Sequence, residues 1–246
     1  MASNRPGECC IRGVVHEGAP AGEEKEFAGV NTYFAYPESK NTDKAILLLT
    51  DVMGIYINPQ LIADQFAANG YLVVMPDILD NDPIPLPENR PEGFSLQAWL
   101  EKPSHQPEFV QPIVDKVLAE MKKQFNPKKI GAVGYCFGAK YVTRLLDGRI
   151  DAGYNAHPSF VTIEEVAAIK KPLSIAAAQT DSIFTTELRH QSEAKLIEIG
   201  ATFQINLYGG VEHGFAARGD MKNPIHKFAK EQAFMQAVAW FNEYLN

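Results

Sequence analysis

The chain has 246 residues, enough to bury a full core in one α/β domain, and its 46% hydrophobic and 22% charged content excludes wholesale disorder. A formal net charge of −7 argues against nucleic acid or an anionic membrane surface as a partner. It leaves a small anionic substrate open, because one local arginine can outweigh a diffuse negative field.

Three cysteines are too few, and an odd number, for a disulfide framework. Cys9 and Cys10 read as free thiols in a weakly ordered segment, without the spacing of a metal site. Residues 1–13 hold no apolar signal region, and no apolar run approaches membrane-spanning length. The expected setting is soluble, reducing and cytoplasmic, with no membrane partner.

Residues 14–45 read as extended segments and turns. Val30–Tyr36 is rich in strand formers and stops at Pro37, which suits an antiparallel edge strand. Ala45–Thr50 is a continuous apolar run, the pattern of a central parallel strand buried on both faces. It runs into Asp51-Val-Met-Gly54, at the strand end where open α/β sheets build their sites. Asn58-Pro59 is expected to cap and open a helix that Gly70 closes, and Tyr71–Met75 is a second buried strand. Residues 79–112 carry seven of the sixteen prolines together with Phe94 and Trp99, and read as a cap built from short helical pieces.

Helical spacing from about 108 to 124 precedes a strand at Ile130–Val133 and a helix over 137–147. A strand at 152–156 runs into His157, and Thr162-x-x-Glu165 is a capping box. A strand at 173–178 runs out to Asp181, and a helix over roughly 186–199 follows. Thr202–Tyr208 alternates as a strand, and Gly209–Phe215 reads as a loop holding His213. A terminal helix is expected to bury Phe228, Phe234, Val238 and Phe241. Strands alternate with helices throughout, without repeats or linkers. This is one α/β domain over 1–246 with a mostly parallel central sheet flanked by helices on both faces.

Between the 130–133 strand and the next helix lies Gly134-Tyr-Cys136-Phe-Gly138, the layout of a nucleophile elbow with sulfur in place of oxygen. Such a turn holds its nucleophile in a strained conformation and leaves no room for side chains at the flanking glycines. It also sets Cys136 at a helix N-terminus, where the dipole favours a thiolate. Thiol catalysis of acyl transfer needs a base and a group to orient it. Asp181 and His213 each follow a predicted strand at its carboxyl end, as Cys136 does, so the three can converge on one sheet edge. Asp181 could instead cap the helix after it. His157 shares that edge and reads as pocket lining. The tetrahedral intermediate needs two N–H donors, expected from the backbones of Phe137 and Val52.

Leu-Leu-Leu-Thr-Asp51-Val-Met-Gly54, Gly-Tyr-Cys136-Phe-Gly, Asp181 and Glu-His213-Gly-Phe215 together resemble the dienelactone hydrolase (carboxymethylenebutenolidase) family, essentially over the whole chain. Ala-His157-Pro-Ser-Phe160 is more similar to fungal than to bacterial members. The resemblance implies an α/β-hydrolase fold, a Cys136–His213–Asp181 triad that opens a cyclic enol ester, and no cofactor. It also implies two further groups known from the bacterial type. A glutamate that engages the resting thiol there is matched here by Asp51, one methylene shorter. Of two arginines that hold a substrate carboxylate, Arg218 lies near one position, and Arg90 in the cap is a candidate for the other.

The expected function is hydrolysis of a small-molecule lactone or ester through a thioester at Cys136, with a homodimer left open. A small-molecule-binding protein with little turnover on the same scaffold is the alternative. Thiol redox chemistry at Cys136 ranks below both, since no resolving cysteine is near in sequence.

Overall fold

The computed structural model describes residues 1–246. After a 3-10 turn at Glu8–Ile11 come β1 (Glu23–Phe27), β2 (Val30–Ala35), β3 (Lys44–Leu49), α1 (Ile57–Ala68) and β4 (Leu72–Pro76). The 79–112 excursion contains α2 (Leu96–Leu100) between 3-10 turns at Pro87–Asn89 and Pro103–His105, and ends inside α3 (Pro107–Phe125). Then follow β5 (Lys129–Tyr135), α4 (Gly138–Leu145), β6 (Ala152–Ala156), α5 (Ile163–Ala167), β7 (Leu173–Thr180), α6 (Thr186–Glu198), β8 (Phe203–Glu212), α7 (Phe215–Arg218) and α8 (Pro224–Tyr244). No helix is long and apolar enough to cross a membrane.

All eight strands form one sheet in the order β1-β2-β4-β3-β5-β6-β7-β8. The two β2 pairings are antiparallel, and every pairing from β4 through β8 is parallel. The unbroken apolar run in β3 follows from this layout. Ala45, Leu47 and Leu49 face a core shared with α3 and α4, while Ile46 and Leu48 face a second core with α1 and α8. A central strand covered on both faces has no solvent side to mark with polar residues.

Register decides which loops meet. Leu49 pairs with Gly134, and Tyr135 with Ala156, so the Asp51 loop, the Cys136 elbow and His157 leave the sheet at one edge. Thr180 stands opposite Glu212 past an irregularity at Ala178/Thr180, which sets Asp181 beside His213. The His213 N–H bonds the Thr180 carbonyl at 3.3 Å.

Four local expectations are corrected. β2 is not at the edge, because β1 hydrogen-bonds along its outer side. Asn58 does not cap α1, which starts at Ile57 after Tyr56; its side chain instead holds the Val14 and Ala217 carbonyls and the His16 N–H. β8 runs on through Gly209 and Gly210 to Glu212, where a loop was expected, because β7 still offers ladder partners there. Phe228 is 64% exposed, and alanines 229, 233 and 237 with Val238 and Phe241 form the buried face of α8.

The elbow glycines are set by close approach. A Cβ on Gly138 would lie 2.2 Å from the Leu49 carbonyl oxygen, and one on Gly134 would lie 2.6 Å from the Ala139 Cα. Both obstacles are backbone and cannot rotate away. Gly138→Ala is expected to cost ~1–3 kcal/mol of stability, the range for overpacking, by forcing α4 off β3. Urea unfolding at matched conditions measures it, and an unchanged midpoint would show that the elbow has slack.

Candidate active site

The sharp turn from β5 into α4 places Cys136 at φ 49°, in the left-handed region that a non-glycine residue adopts only when its surroundings hold it there. Its N–H donates to the Ala156 carbonyl, and its own carbonyl accepts from Ala139 and Ser159. The backbone is thereby locked while the sulfur points off the sheet edge. Ser159 Oγ lies 3.5 Å from that sulfur. The N–H groups of Val52 and Phe137 flank the turn, both residues are buried, and neither N–H has an acceptor in the protein. Buried amides without partners are rare enough to require a reason.

Across from the elbow, both carboxylate oxygens of Asp181 accept from His213 Nδ1, at 3.0 and 2.9 Å. Asp181 Oδ1 also takes the N–H groups of Ile183 and Phe184, which fixes the carboxylate. The helix after Asp181 is capped by Thr185 and not by Asp181. With Nδ1 held, His213 turns Nε2 toward the sulfurs.

There are two sulfurs. Cys10 is fully buried in the 3-10 turn at 8–11, with its Sγ 3.3 Å from Cys136 Sγ and 3.3 Å from His213 Nε2. The expectation of a weakly ordered N-terminal segment is overturned. Ala2 and Ser3 bond the Val161 carbonyl, Asn4 bonds the Ile183 carbonyl, and Val14 bonds the Arg218 carbonyl. Arg90 Nη2 donates to the Ile11 carbonyl at 2.9 Å and Arg218 Nε to the Arg12 carbonyl at 2.7 Å. Residues 2–14 are thus strapped across the site. No sequence pattern marks this, since a single 3-10 turn has no periodicity and its contacts lie far along the chain. Cys10, Cys136 and His213 hold their donor atoms within 4.8 Å of one another, a soft donor set suited to a thiophilic cation, which the spacing of Cys9 and Cys10 did not suggest.

The electrostatics of the cluster favour an ion pair. Burial raises the Cys136 thiol, but hydrogen bonding from Cys10 and the His213 charge outweigh it and hold Cys136 well below the usual thiol range. Burial lowers His213, yet the Cys136 thiolate and Asp181 more than offset this and push it up to about 10. Cys10 moves the opposite way, raised by burial and then by the neighbouring sulfurs, so it stays a neutral thiol.

Asp51 and Arg218 meet each other rather than Cys136. They form a charge-paired hydrogen bond with each residue only 3% exposed, and Asp51 Oδ1 accepts the Met53 N–H at 2.8 Å. Burial pushes the Asp51 carboxyl up, against the pull of the guanidinium. No hydrogen bond joins Asp51 to the thiol, and the pair instead shapes the Val52 turn. Arg90 spends Nη2 on the Ile11 and Pro85 carbonyls. His157 is wholly buried, its ring edge-on to His213 at 4.9 Å, with neither ring nitrogen hydrogen-bonded. Burial, then the His213 and Arg218 charges, hold it well below the usual imidazole range, so it backs the His213 ring as a neutral group.

The 79–112 excursion touches the same edge. Ile84 N–H bonds the Val52 carbonyl and the Trp99 ring lies 6.4 Å from Phe137. A cavity of about 170 Å³ opens beside His213, walled by Arg12, Gly13, Gly214, Phe215 and Arg218 among others. A larger one, about 390 Å³, lies against α8 and includes none of the expected site residues.

An elbow, a histidine and a carboxylate at the carboxyl edge of a mostly parallel eight-stranded sheet define an α/β-hydrolase fold. The chain belongs to the dienelactone hydrolase family, whose model matches residues 30–245. It is 47% identical over 247 residues to Hydrolase pyvD of Aspergillus violaceofuscus, covering 100% of this chain and 99% of the relative. It is 48% identical over 253 residues to Hydrolase tropI of Talaromyces stipitatus, with the same coverage. Dienlactone hydrolase 1 of Gibberella moniliformis is 36% identical, over 96% of this chain and 93% of the relative. Among solved structures, a putative dienelactone hydrolase from Klebsiella pneumoniae superposes with a TM-score of 0.76 at 15% identity, covering 92% of this chain and 100% of that one, a likeness of fold.

Proposed function

We propose that the protein hydrolyses a small lactone or ester through a thioester at Cys136, with His213 as acid–base group and Asp181 as its anchor. The observation that carries this reading is the His213–Asp181 bond at 2.9 Å on the ring nitrogen away from the sulfurs, opposite an elbow thiol. His213 takes the Cys136 proton, and the thiolate attacks the carbonyl carbon. The unpartnered N–H groups of Val52 and Phe137 suit the developing oxyanion. The imidazolium then gives its proton to the leaving alkoxide or enolate. Neutral His213 next draws a proton from water, which hydrolyses the thioester and restores the ion pair. No step calls on a cofactor.

The Asp51–Arg218 pairing bears on substrate class. Arg218's charge is already matched by a buried carboxylate, and of its guanidinium only Nη2, buried without a protein partner, is left to donate to a substrate oxygen. This favours lactones and esters that present a neutral acceptor oxygen over those requiring a free carboxylate. Access to Cys136 needs the strap at 2–14 to shift, because the sulfur is fully covered.

The working species is thiolate with imidazolium, so activity is lost at low pH when the thiolate takes a proton and at high pH when His213 gives its proton up. With His213 raised to about 10, the alkaline limb is expected to fall only near that pH, and the acid limb well below the usual thiol range. A pH profile of kcat/KM on aryl esters and lactones, with and without a carboxylate, checks both points. Absence of turnover across that panel, with tight binding of its members, would point to the small-molecule binder instead.

A further inference from the structure

We propose that Cys10 and Cys136 form a reversible redox pair, in which a hydroperoxide oxidises Cys136 and Cys10 resolves it as an intramolecular disulfide that shuts the site. The inference rests on Cys136 being the reactive thiolate of the reading above. It is carried by position. The two sulfurs are 3.3 Å apart, and both are sealed from solvent. A disulfide needs them to close to about 2 Å, a shift of little more than 1 Å. Cys10 also accepts the Gly7 N–H at 3.4 Å, which aims its sulfur inward within the strap. Cys9, next in the chain, is half-buried and turned to Ser182 Oγ at 3.5 Å, so one cysteine of the adjacent pair is committed to Cys136 and the other is not.

The chemistry balances with groups on hand. The Cys136 thiolate attacks the terminal oxygen of a hydroperoxide and the O–O bond breaks. The alcohol, or water from hydrogen peroxide, leaves with the His213 proton, and Cys136 becomes a sulfenic acid. Cys10 gives its proton to His213 Nε2, 3.3 Å away. The Cys10 sulfur then attacks the Cys136 sulfur, and the S–O bond breaks as hydroxide departs with that proton as water. One hydroperoxide is reduced and two thiols become one disulfide. A dithiol reverses the state by exchange, returning both sulfurs to thiols.

The consequence is a closed enzyme. In the reduced protein the strap is held near the site by single hydrogen bonds from Arg90 to Ile11, from Arg218 to Arg12 and from Val14 to Arg218. The disulfide ties it covalently to the nucleophile and consumes the electron pair that attacks the substrate. It also spares Cys136 from sulfinic and sulfonic acids, which a dithiol does not reverse.

The test treats the reduced full-length protein with one equivalent of hydrogen peroxide in the presence of a chelator. Free thiols are then alkylated and the chain is digested without reduction for peptide mass mapping. Aryl-ester hydrolysis is read before oxidation, after it, and after dithiothreitol. The expected map shows the Cys10 and Cys136 peptides joined and Cys9 alkylated. Activity should fall by about tenfold or more and return with dithiothreitol. In Cys10→Ala, Cys136 should advance to the sulfinic acid, and the loss should persist after dithiothreitol; Cys9→Ala should behave as the parent does. Absence of the joined peptide in the parent protein, or equal recovery of Cys10→Ala, overturns the proposal. The map needs no turnover, so a joined peptide in a protein that hydrolyses nothing would sink the hydrolase reading and leave the redox pair standing.

Discussion

Cys136→Ala is expected to lower kcat/KM on small lactones and aryl esters by about 10³-fold or more while leaving the fold intact. The side chain removed is small, so the cavity term is minor, and the elbow backbone is held by bonds to Ala156, Ala139 and Ser159 that do not involve the sulfur. What disappears is the proposed nucleophile on the elbow; the free N–H groups at Val52 and Phe137, and the Cys10 thiol beside His213, remain and account for residual rate. Cys136→Ser sharpens the test. A hydroxyl does not ionise beside His213 as the thiol does, so the ion pair is lost while the geometry is retained. Its rate should fall between those of the parent and the alanine variant. Undiminished hydrolysis by Cys136→Ala, at equal purity and with a matched unfolding midpoint, would remove the sulfur from the mechanism.

Arg218→Met is expected to destabilise the protein by ~3–5 kcal/mol, because it strands the Asp51 carboxylate in a buried site. Replacing both partners, as Asp51→Leu with Arg218→Met, should recover most of that loss, since two well-packed apolar groups avoid the desolvation cost that one unpaired charge incurs. Urea midpoints for the two single variants and the double variant give the coupling directly. A substrate-binding arginine would behave otherwise. Its loss would raise KM for carboxylate-bearing substrates and leave the midpoint where it was. The Val52 turn lies against this pair through the Asp51–Met53 bond, so the single variants should also slow hydrolysis of neutral esters.

Much of the architecture could be read from local sequence. The apolar runs at 45–50 and 71–75, lacking alternation, require burial on both faces, and a parallel sheet covered by helices satisfies that. The elbow was legible because two close backbone approaches admit only glycine at 134 and 138. Asp181 and His213 were legible because strand ends in such a sheet share one edge. The misses share one cause. Gly209 and Gly210 look like a loop by themselves, and it is the facing end of β7 that keeps them in the ladder to Glu212. Phe228 fits the apolar spacing of α8, but the alanine face is what packs against the sheet.

By itself the sequence determined a mostly parallel α/β domain, a thiol on a strained turn, and a histidine and carboxylate on the same sheet edge. Each of those follows from local steric limits or from the period of the apolar pattern. Only the tertiary structure decided that Cys10 lies 3.3 Å from Cys136 across 126 positions of chain, and that Asp51 turns to Arg218 across 167. Those contacts are set where the N-terminal strap and the loop after β8 close on the elbow. No periodicity encodes such closures, because they depend on the packed arrangement of the sheet edge. The thiol that the local sequence marks as a nucleophile is therefore, in the folded protein, one member of a buried cluster of two sulfurs and an imidazole.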